Sequence, residues 1–260
     1  MRKDVLFPTS IEKELRFDNW RREGGIEMLL SDMDDTICPT RQIFLTTESE
    51  ACDFLAANAP AVSREDWEVE VKTINNKLFE KYGVNPGRWN YLVDEITEKY
   101  SLSASVEQEA RRIFQQIYLR PMTMLEGASE GLDFIKKVGL PIGIVTHANP
   151  EWTWKKYNWL GLKRFVNWDD IFIVDENGHK TAESWRRAIS YFGQSPDQCA
   201  VVGDSPRSDI NPAWEIGVKH CFLVEDRKQW AIHKQPVDPS VKIIHRLDQI
   251  AEAALNGQLS

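Results

Sequence analysis

The chain has 260 residues, which is enough to bury one large core or a core with a second lobe. Hydrophobic residues make up 42% of it, a share that excludes a disordered protein. The formal net charge of -8 argues against a nucleic-acid or membrane-surface binder, because either would carry a basic face.

The first 25 residues are predicted to be an N-terminal extension to the fold. They contain no apolar signal-peptide region, and no stretch of the chain approaches the ~20 apolar residues that span a bilayer. The cysteines are scattered without a C-x-x-C spacing, which favours reduced thiols. They are Cys38, Cys52, Cys199 and Cys221. We therefore expect a cytoplasmic protein that binds no membrane.

An apolar run at residues 26–31 predicts a buried strand, and it leads directly into a cluster of acidic residues. Asp32, Asp34 and Asp35 fall within four positions and are followed by Thr36. Two carboxylates about 4 Å apart repel by roughly 4 kcal/mol at an effective dielectric of ~20. A chain that tolerates this repulsion at the end of a strand is expected to bind a cation there.

Residues 41–120 are predicted to form an all-helical unit of about four helices. Ser63 and Asp66 resemble a capping box, and Gly83 suits the end of the helix that follows. Apolar residues recur at helical spacing over residues 67–79, 89–100 and 106–118, with a further helix near 46–57. The turn VNPGRWN between two of these helices presents Arg88 and Trp89.

From residue 122 onward, short apolar runs alternate with helical patterns. Strands are predicted at 142–146, 171–174, 200–202 and 220–224, and helices at 131–138, 152–160, 182–192 and 209–216. Repeated strand–helix units predict an α/β fold with a doubly wound, mainly parallel, Rossmann-like sheet. The predicted core comprises residues 26–40 and 121–260, and the helical unit at 41–120 is inserted after the first strand.

Candidate polar residues follow four of the five predicted strands, at the sheet edge where doubly wound proteins bind ligands. Four carboxylates there could form an oxygen cage for Mg²⁺, which usually keeps waters and a substrate phosphate. One carboxylate could also attack phosphorus, while a lysine neutralises phosphoryl charge and a threonine donates a hydrogen bond. The residues at these strand ends are Asp32, Asp34, Thr146, His147, Lys180, Asp204 and Asp209.

The order of these residues resembles the motifs of the haloacid dehalogenase-like superfamily, whose members are mostly Mg²⁺-dependent phosphatases. Its DxDxT motif matches residues 32–36, and its strand-terminal Ser or Thr matches Thr146. Its lone lysine fits Lys180, and its GDxxxxD motif matches residues 203–209. The resemblance covers residues 26–225, and the helical insertion resembles the helical cap of that family.

The resemblance implies a role for each matched position. Asp32 would attack phosphorus, and Asp34 would protonate the leaving group and then activate water. Thr146 and Lys180 would hold the phosphoryl group. The implied ligands of Mg²⁺ are Asp32, Asp34, Asp204 and Asp209. The double role of Asp34 calls for a pKa nearer the working pH than the ~3.9 of a free aspartate.

Several positions depart from the family pattern. Asp35 stands where Gly is common, His147 where Asn is frequent, and Lys180 is followed by Thr181 instead of Pro. Members that dehalogenate lack the second aspartate of the first motif, so Asp34 favours phosphoryl chemistry.

Substrate contacts are predicted at four further residues. In this superfamily a cap loop reaches over the active site, so Arg88 could meet an anionic group and Trp89 could stack on a ring, although both could belong to a solvated turn. Arg41 and His147 are similar candidates.

The predicted function is a Mg²⁺-dependent phosphatase that hydrolyses a small soluble phosphomonoester through an aspartyl-phosphate, with a small phosphorylated metabolite as its partner. A phosphomutase and a non-catalytic phosphometabolite-binding regulator remain alternatives, and the oligomeric state stays open.

Overall fold

The computed structural model describes residues 10–174, 179–225, 236 and 238–256. Within them, six strands form one sheet: β1 Met28–Ser31, β2 Ile142–Thr146, β3 Ile171–Ile173, β4 Cys199–Gly203, β5 His220–Val224 and β6 Lys242–Ile244. The α-helices of the same residues are α1 Ser10–Glu23, α2 Thr40–Asn58, α3 Arg64–Tyr82, α4 Arg88–Tyr100, α5 Ala104–Gln115, α6 Ala128–Lys137, α7 Pro150–Trp159, α8 Ala182–Tyr191, α9 Asn211–Glu215 and α10 Ile250–Leu255.

The sheet is parallel throughout, with the strand order β3-β2-β1-β4-β5-β6. The first strand is therefore central, and the chain winds outward from it in both directions. This arrangement confirms the predicted α/β, doubly wound, Rossmann-like class. It also places the carboxyl ends of β1 and β4 side by side, because these strands pair directly.

The central strands are short apolar runs because both of their faces are covered. Every residue of β1, β2 and β4 is buried, as expected of parallel strands between helical layers. Gly143 of β2 is needed for this packing, since a Cβ there would lie 2.8 Å from the ring of Phe192. The short edge strand β6 was not predicted, because its three residues give too little pattern to register as a strand.

The four helices α2–α5 form the predicted helical unit between β1 and α6. Helices α2 and α4 each pack against α3 and α5. Ser63 caps α3 by accepting a hydrogen bond from the Asp66 amide, and Gly83 ends the helix with φ of 60°. The hydrophobic core that buries these helices is continuous with the core on one face of the sheet.

Helix α1 occupies the described part of the N-terminal extension; residues 1–9 lie outside the described residues. It packs against α10, and Phe17 and Trp20 are buried on its inner side. The ring of Trp20 meets those of His220 and Phe222 on β5. The extension therefore covers one end of the sheet with apolar surface.

All four cysteines are buried free thiols in the structure. Burial raises the pKa of Cys52, Cys199 and Cys221 to about 12, so these thiols stay protonated near neutral pH. Among the residues that the structure describes, no helix combines the length and the apolar character that crossing a membrane requires.

Candidate active site

The site is built at the carboxyl ends of β1 and β4. The Asp32 amide donates to the carbonyl of Val202 at 2.9 Å, which continues the β1–β4 ladder past the end of the strand. Asp204 follows β4 directly, and Asp209 lies five residues later. Carboxylate oxygens of Asp32, Asp204 and Asp209 all lie within 4.8 Å of one another. Folding therefore brings together acidic residues that are far apart in the sequence.

A π-helical turn at Pro206–Ile210 aims the Asp209 side chain into the cluster. Such turns often occur at functional sites because they redirect one side chain out of the regular helical pattern. The Ser205 amide donates to Oδ2 of Asp209 at 3.0 Å. Gly203 gives the carboxylate room, since a Cβ there would lie 2.5 Å from Asp209 Oδ2. The predicted helix thus begins earlier than expected, with this turn ahead of α9.

Lys180 is buried between two of the carboxylates. Its Nζ pairs with Asp32, lies 2.6 Å from Oδ1 of Asp209, and donates to the carbonyl of Val145 at 3.1 Å. Burial opposes the charged ammonium, yet Asp209 and Asp32 raise the Lys180 pKa above its usual value, so the lysine stays charged. Thr181, which replaces the family proline, caps helix α8 by accepting from the Ser184 amide.

Burial and mutual repulsion raise the pKa of two carboxylates in this cluster. Burial raises the pKa of Asp32 to about 7, against the opposing attraction of Lys180. Burial and the neighbouring Asp209 also raise the pKa of Asp204 well above its ordinary value. A group of crowded carboxylate oxygens is the donor set that a hard divalent cation prefers. The residues present therefore fit a divalent metal ion.

Asp34 lies beside this cluster and has its own set of partners. Oδ1 accepts from Thr40 Oγ1 and pairs with Lys156 Nζ at 2.5 Å, whereas Oδ2 accepts a long bond of 3.4 Å from Thr146 Oγ1. Burial alone would raise the pKa of Asp34, but Lys156 and Thr40 together lower it. The expectation of a raised pKa is therefore wrong for this structure, because the burial of Lys156 beside Asp34 has no local signal in the sequence.

The departure at Asp35 has a conformational explanation. Its φ of 60° lies in the left-handed region, which explains why Gly is common at this position. Asp is among the residues that tolerate this conformation best. The side chain also gains a partner, because Oδ1 accepts from the Arg41 amide at 2.9 Å.

The candidate substrate residues lie in different surroundings. Arg88 and Trp89 open α4 and are both buried, with Arg88 donating to Oδ1 of Asn75 and to the carbonyl of Gly83. Trp89 stacks on Phe114 inside the helical unit. Arg41 is the second residue of α2 and lies beside Asp35, and His147 follows β2 next to Thr146; both side chains are partly exposed.

A cation–π contact and a contact between two rings connect the helical unit to the edge of the sheet. The guanidinium of Arg88 lies 5.2 Å from the centre of the Phe79 ring. The Phe79 ring in turn approaches that of His179, which directly precedes Lys180. These two contacts link Arg88 to His179, the neighbour of Lys180 in the sequence.

Sequence reasoning missed Lys156 and Thr40, the two residues that hold Oδ1 of Asp34. Neither follows a strand, so neither falls where a ligand site is sought. Lys156 is the second of two adjacent lysines on a helix, which reads as an ordinary solvated face. The only available signal was its helical spacing from Trp152, whose ring it approaches to 4.3 Å.

Comparison with known proteins agrees with this geometry. The family model described as haloacid dehalogenase-like hydrolase matches residues 26–217. A glyceraldehyde 3-phosphate phosphatase of Pyrococcus furiosus is 29% identical over 203 residues, which cover 75% of this chain and 79% of that protein.

Two solved structures share the fold at low sequence identity. A haloacid dehalogenase-like family hydrolase from Xanthomonas campestris superposes with a TM-score of 0.71 at 17% identity, covering 90% of this chain and 93% of the other. A HAD phosphatase from Thermococcus onnurineus gives a TM-score of 0.56, also at 17% identity, with coverage of 87% and 97%. These similarities concern the architecture and leave the substrate open.

Proposed function

We propose that this chain, which belongs to the haloacid dehalogenase-like hydrolase family and is a phosphatase, hydrolyses a small phosphomonoester through an aspartyl-phosphate on Asp32. The observation that carries the proposal is the pairing of Asp32 with the buried Lys180 inside a cluster of acidic residues. Lys180 holds one oxygen of Asp32, which leaves the other oxygen as the nucleophile.

The chemistry divides into two steps. In the first, an oxygen of Asp32 forms a bond to phosphorus while the bond to the leaving oxygen breaks, and Asp34 gives a proton to that oxygen. Asp34 would have to take up this proton when the substrate binds, because the negative charge of the phosphoryl group opposes the lowering of its pKa by Lys156. In the second, Asp34 takes a proton from water as the water attacks the phosphorus of the aspartyl-phosphate. Inorganic phosphate leaves, and the Asp32 carboxylate is restored. Thr146 Oγ1 and Lys180 would hold the phosphoryl oxygens during both steps.

The same residues would hold a divalent metal ion, for which Mg²⁺ is the proposed identity. Asp32, Asp204 and Asp209 supply carboxylate oxygens, and the backbone carbonyl of Asp34 would complete the protein ligands. When bound, the ion supplies positive charge that offsets both the carboxylates and the phosphoryl group. The positive charge of the ion would therefore allow a negatively charged protein to bind an anionic substrate.

The helical unit at residues 41–120 is proposed to act as a cap over the core of residues 26–40 and 121–260. The row from Arg88 through Phe79 to His179 already connects it to the edge that carries Lys180. A cap of this kind excludes water and bulky partners, so the substrate is small. The P. furiosus relative is named for glyceraldehyde 3-phosphate, which makes small phosphorylated sugars and acids the first compounds to test.

The test is hydrolysis of an aryl phosphate and of a panel of phosphorylated metabolites, with Mg²⁺ and with EDTA. Turnover should depend on the metal and should fall by at least about 10³-fold in Asp32→Asn, since that variant lacks the nucleophile. Asp133→Asn, which changes an exposed carboxylate on α6, is the matched control and should keep full activity.

Two outcomes would redirect the proposal. Transfer of phosphate to a sugar instead of to water, seen as a phosphorylated product with no release of inorganic phosphate, would indicate a phosphomutase. Absence of turnover on every compound, with a well-folded protein that still binds phosphate esters, would indicate a regulatory binding role and contradict the proposal.

A further inference from the structure

The side chain of Lys156 is fully buried, yet it is the partner of a residue assigned to proton transfer. It lies on α7 with no exposed surface, and its Nζ is 2.5 Å from Oδ1 of Asp34. Its Nζ also lies 4.3 Å from the centre of the Trp152 ring, one helical turn earlier. A buried ion pair of this kind is weak evidence for stability, since apolar residues of similar volume often serve as well.

The hydrogen bonds of Asp34 distinguish its two oxygens. Oδ1 is held from two sides, by Lys156 Nζ and by Thr40 Oγ1. Oδ2 has a single long bond from Thr146, the threonine placed at the phosphoryl position. The Asp34 side chain is 23% exposed, so part of it is accessible from outside the cluster. One oxygen is therefore fixed from two sides, and the other has only the long bond from Thr146.

From this arrangement we infer that Lys156 is a positioning residue for Asp34: it anchors Oδ1 so that Oδ2 is presented to the leaving oxygen of the substrate. The inference rests on the proposed function, in which Asp34 exchanges the proton. General acid catalysis requires the donor to lie within hydrogen-bond reach of the leaving oxygen, so a rotated carboxylate loses most of its effect.

This role makes a specific prediction about leaving groups. A dinitrophenolate leaves without a proton, whereas an alkoxide needs one as the bond to phosphorus breaks. The ratio kcat/KM reports the first irreversible step, which includes departure of the leaving group. Loss of acid positioning should therefore slow alkyl phosphates far more than dinitrophenyl phosphate.

The experiment compares kcat/KM for dinitrophenyl, phenyl and alkyl phosphates in the wild type, Lys156→Met, Lys156→Gln and Asp34→Asn. Lys156→Met keeps most of the side-chain volume but loses the ammonium, and with it both the ion pair with Asp34 and the cation–π contact with Trp152. We expect it to lose about tenfold to hundredfold more activity on the alkyl ester than on the dinitrophenyl ester, in the same direction as Asp34→Asn. Lys156→Gln retains a donor toward Oδ1 and should fall between the wild type and Lys156→Met, and it serves as the test if Lys156→Met does not fold.

The control is Lys155→Met, which changes the adjacent lysine that pairs with Glu151 and is 33% exposed. It should behave as the wild type on all three esters. An equal loss on every ester in Lys156→Met, or no loss, overturns the inference while wild-type turnover upholds the proposed function. A wild-type protein that hydrolyses none of the esters overturns the proposed function and this inference with it.

Discussion

Replacing Lys180 by Met should make the stability of this protein depend strongly on divalent metal. Met preserves most of the apolar stem, but Asp32 and Asp209 lose the ammonium that pairs with both of them. Removing one partner of a buried ion pair costs about 3–5 kcal/mol. Protonation of Asp32, whose pKa is already raised to about 7, limits the loss. We therefore expect the lower end, about 3 kcal/mol, in metal-free buffer near pH ~8.

The assay is thermal unfolding of the wild type and Lys180→Met in EDTA and across a Mg²⁺ titration. For a chain of this size each kcal/mol shifts the Tm by about 2–4 °C, so the variant should melt about 6–12 °C lower in EDTA. Added Mg²⁺ should raise its Tm more than that of the wild type, because the ion replaces the lost positive charge. Lys77→Met removes an exposed ion pair with Glu95 and is the control, with a shift of at most about 1 kcal/mol. A Mg²⁺-induced rise in Tm no larger in the variant than in the wild type would refute the reasoning.

Two further predictions concern the helical unit. Glu48 is partly buried, and burial raises its pKa to about 7 from 4.5 against the attraction of Arg88 and Lys72. The folded state therefore holds a proton that the unfolded chain loses, so the free energy of unfolding falls as pH rises from about 4.5 to about 7. Glu48→Gln should raise the Tm at pH ~8 by an amount worth about 1–3 kcal/mol, and it should leave the Tm unchanged near pH ~4.5. Equal melting curves for variant and wild type at both pH values would contradict this. Arg88→Lys should change the ranking of phosphorylated metabolites more than the rate on phenyl phosphate; a uniform change would exclude Arg88 from substrate selection.

The sheet and the acidic cluster could be predicted because both depend on local patterns and one topological rule. Short apolar runs mark parallel strands that are buried on both faces, and the carboxyl ends of such strands share an edge. Asp32 and Asp204 each follow such a run directly, so their proximity required only that the two strands be neighbours. The helices of residues 41–120 could be predicted equally well, since they carry regular apolar spacing and the α3 cap at Ser63.

The parts that could not be predicted depend on tertiary contacts that leave no local signature. Lys156 lies on α7 with no exposed side-chain surface, and a lysine on a helix carries no mark of such burial in the sequence. The contact with Lys156 lowers the pKa of Asp34, whereas the role of Asp34 had predicted a raised pKa. The sequence predicts that a turn presents Arg88, yet its guanidinium donates hydrogen bonds to Asn75 and to the carbonyl of Gly83 inside the helical unit.

The charges of the site can be divided between its two halves. Lys180 serves the half that carries Asp32 and Asp209, and Lys156 serves Asp34. With Asp204 also ionised, the four motif carboxylates would exceed these two ammonium groups by two negative charges, the amount that one divalent ion neutralises.

Buried ion pairs of this kind contribute little net free energy to folding. The apolar core must therefore supply the stability of a site whose charges are arranged for catalysis. Each lysine holds one oxygen of its aspartate, and the second oxygen of Asp34 has only the long bond from Thr146. The same device thus orients a nucleophile in one half and a proton donor in the other, and a phosphoryl group between them would face both reactive oxygens.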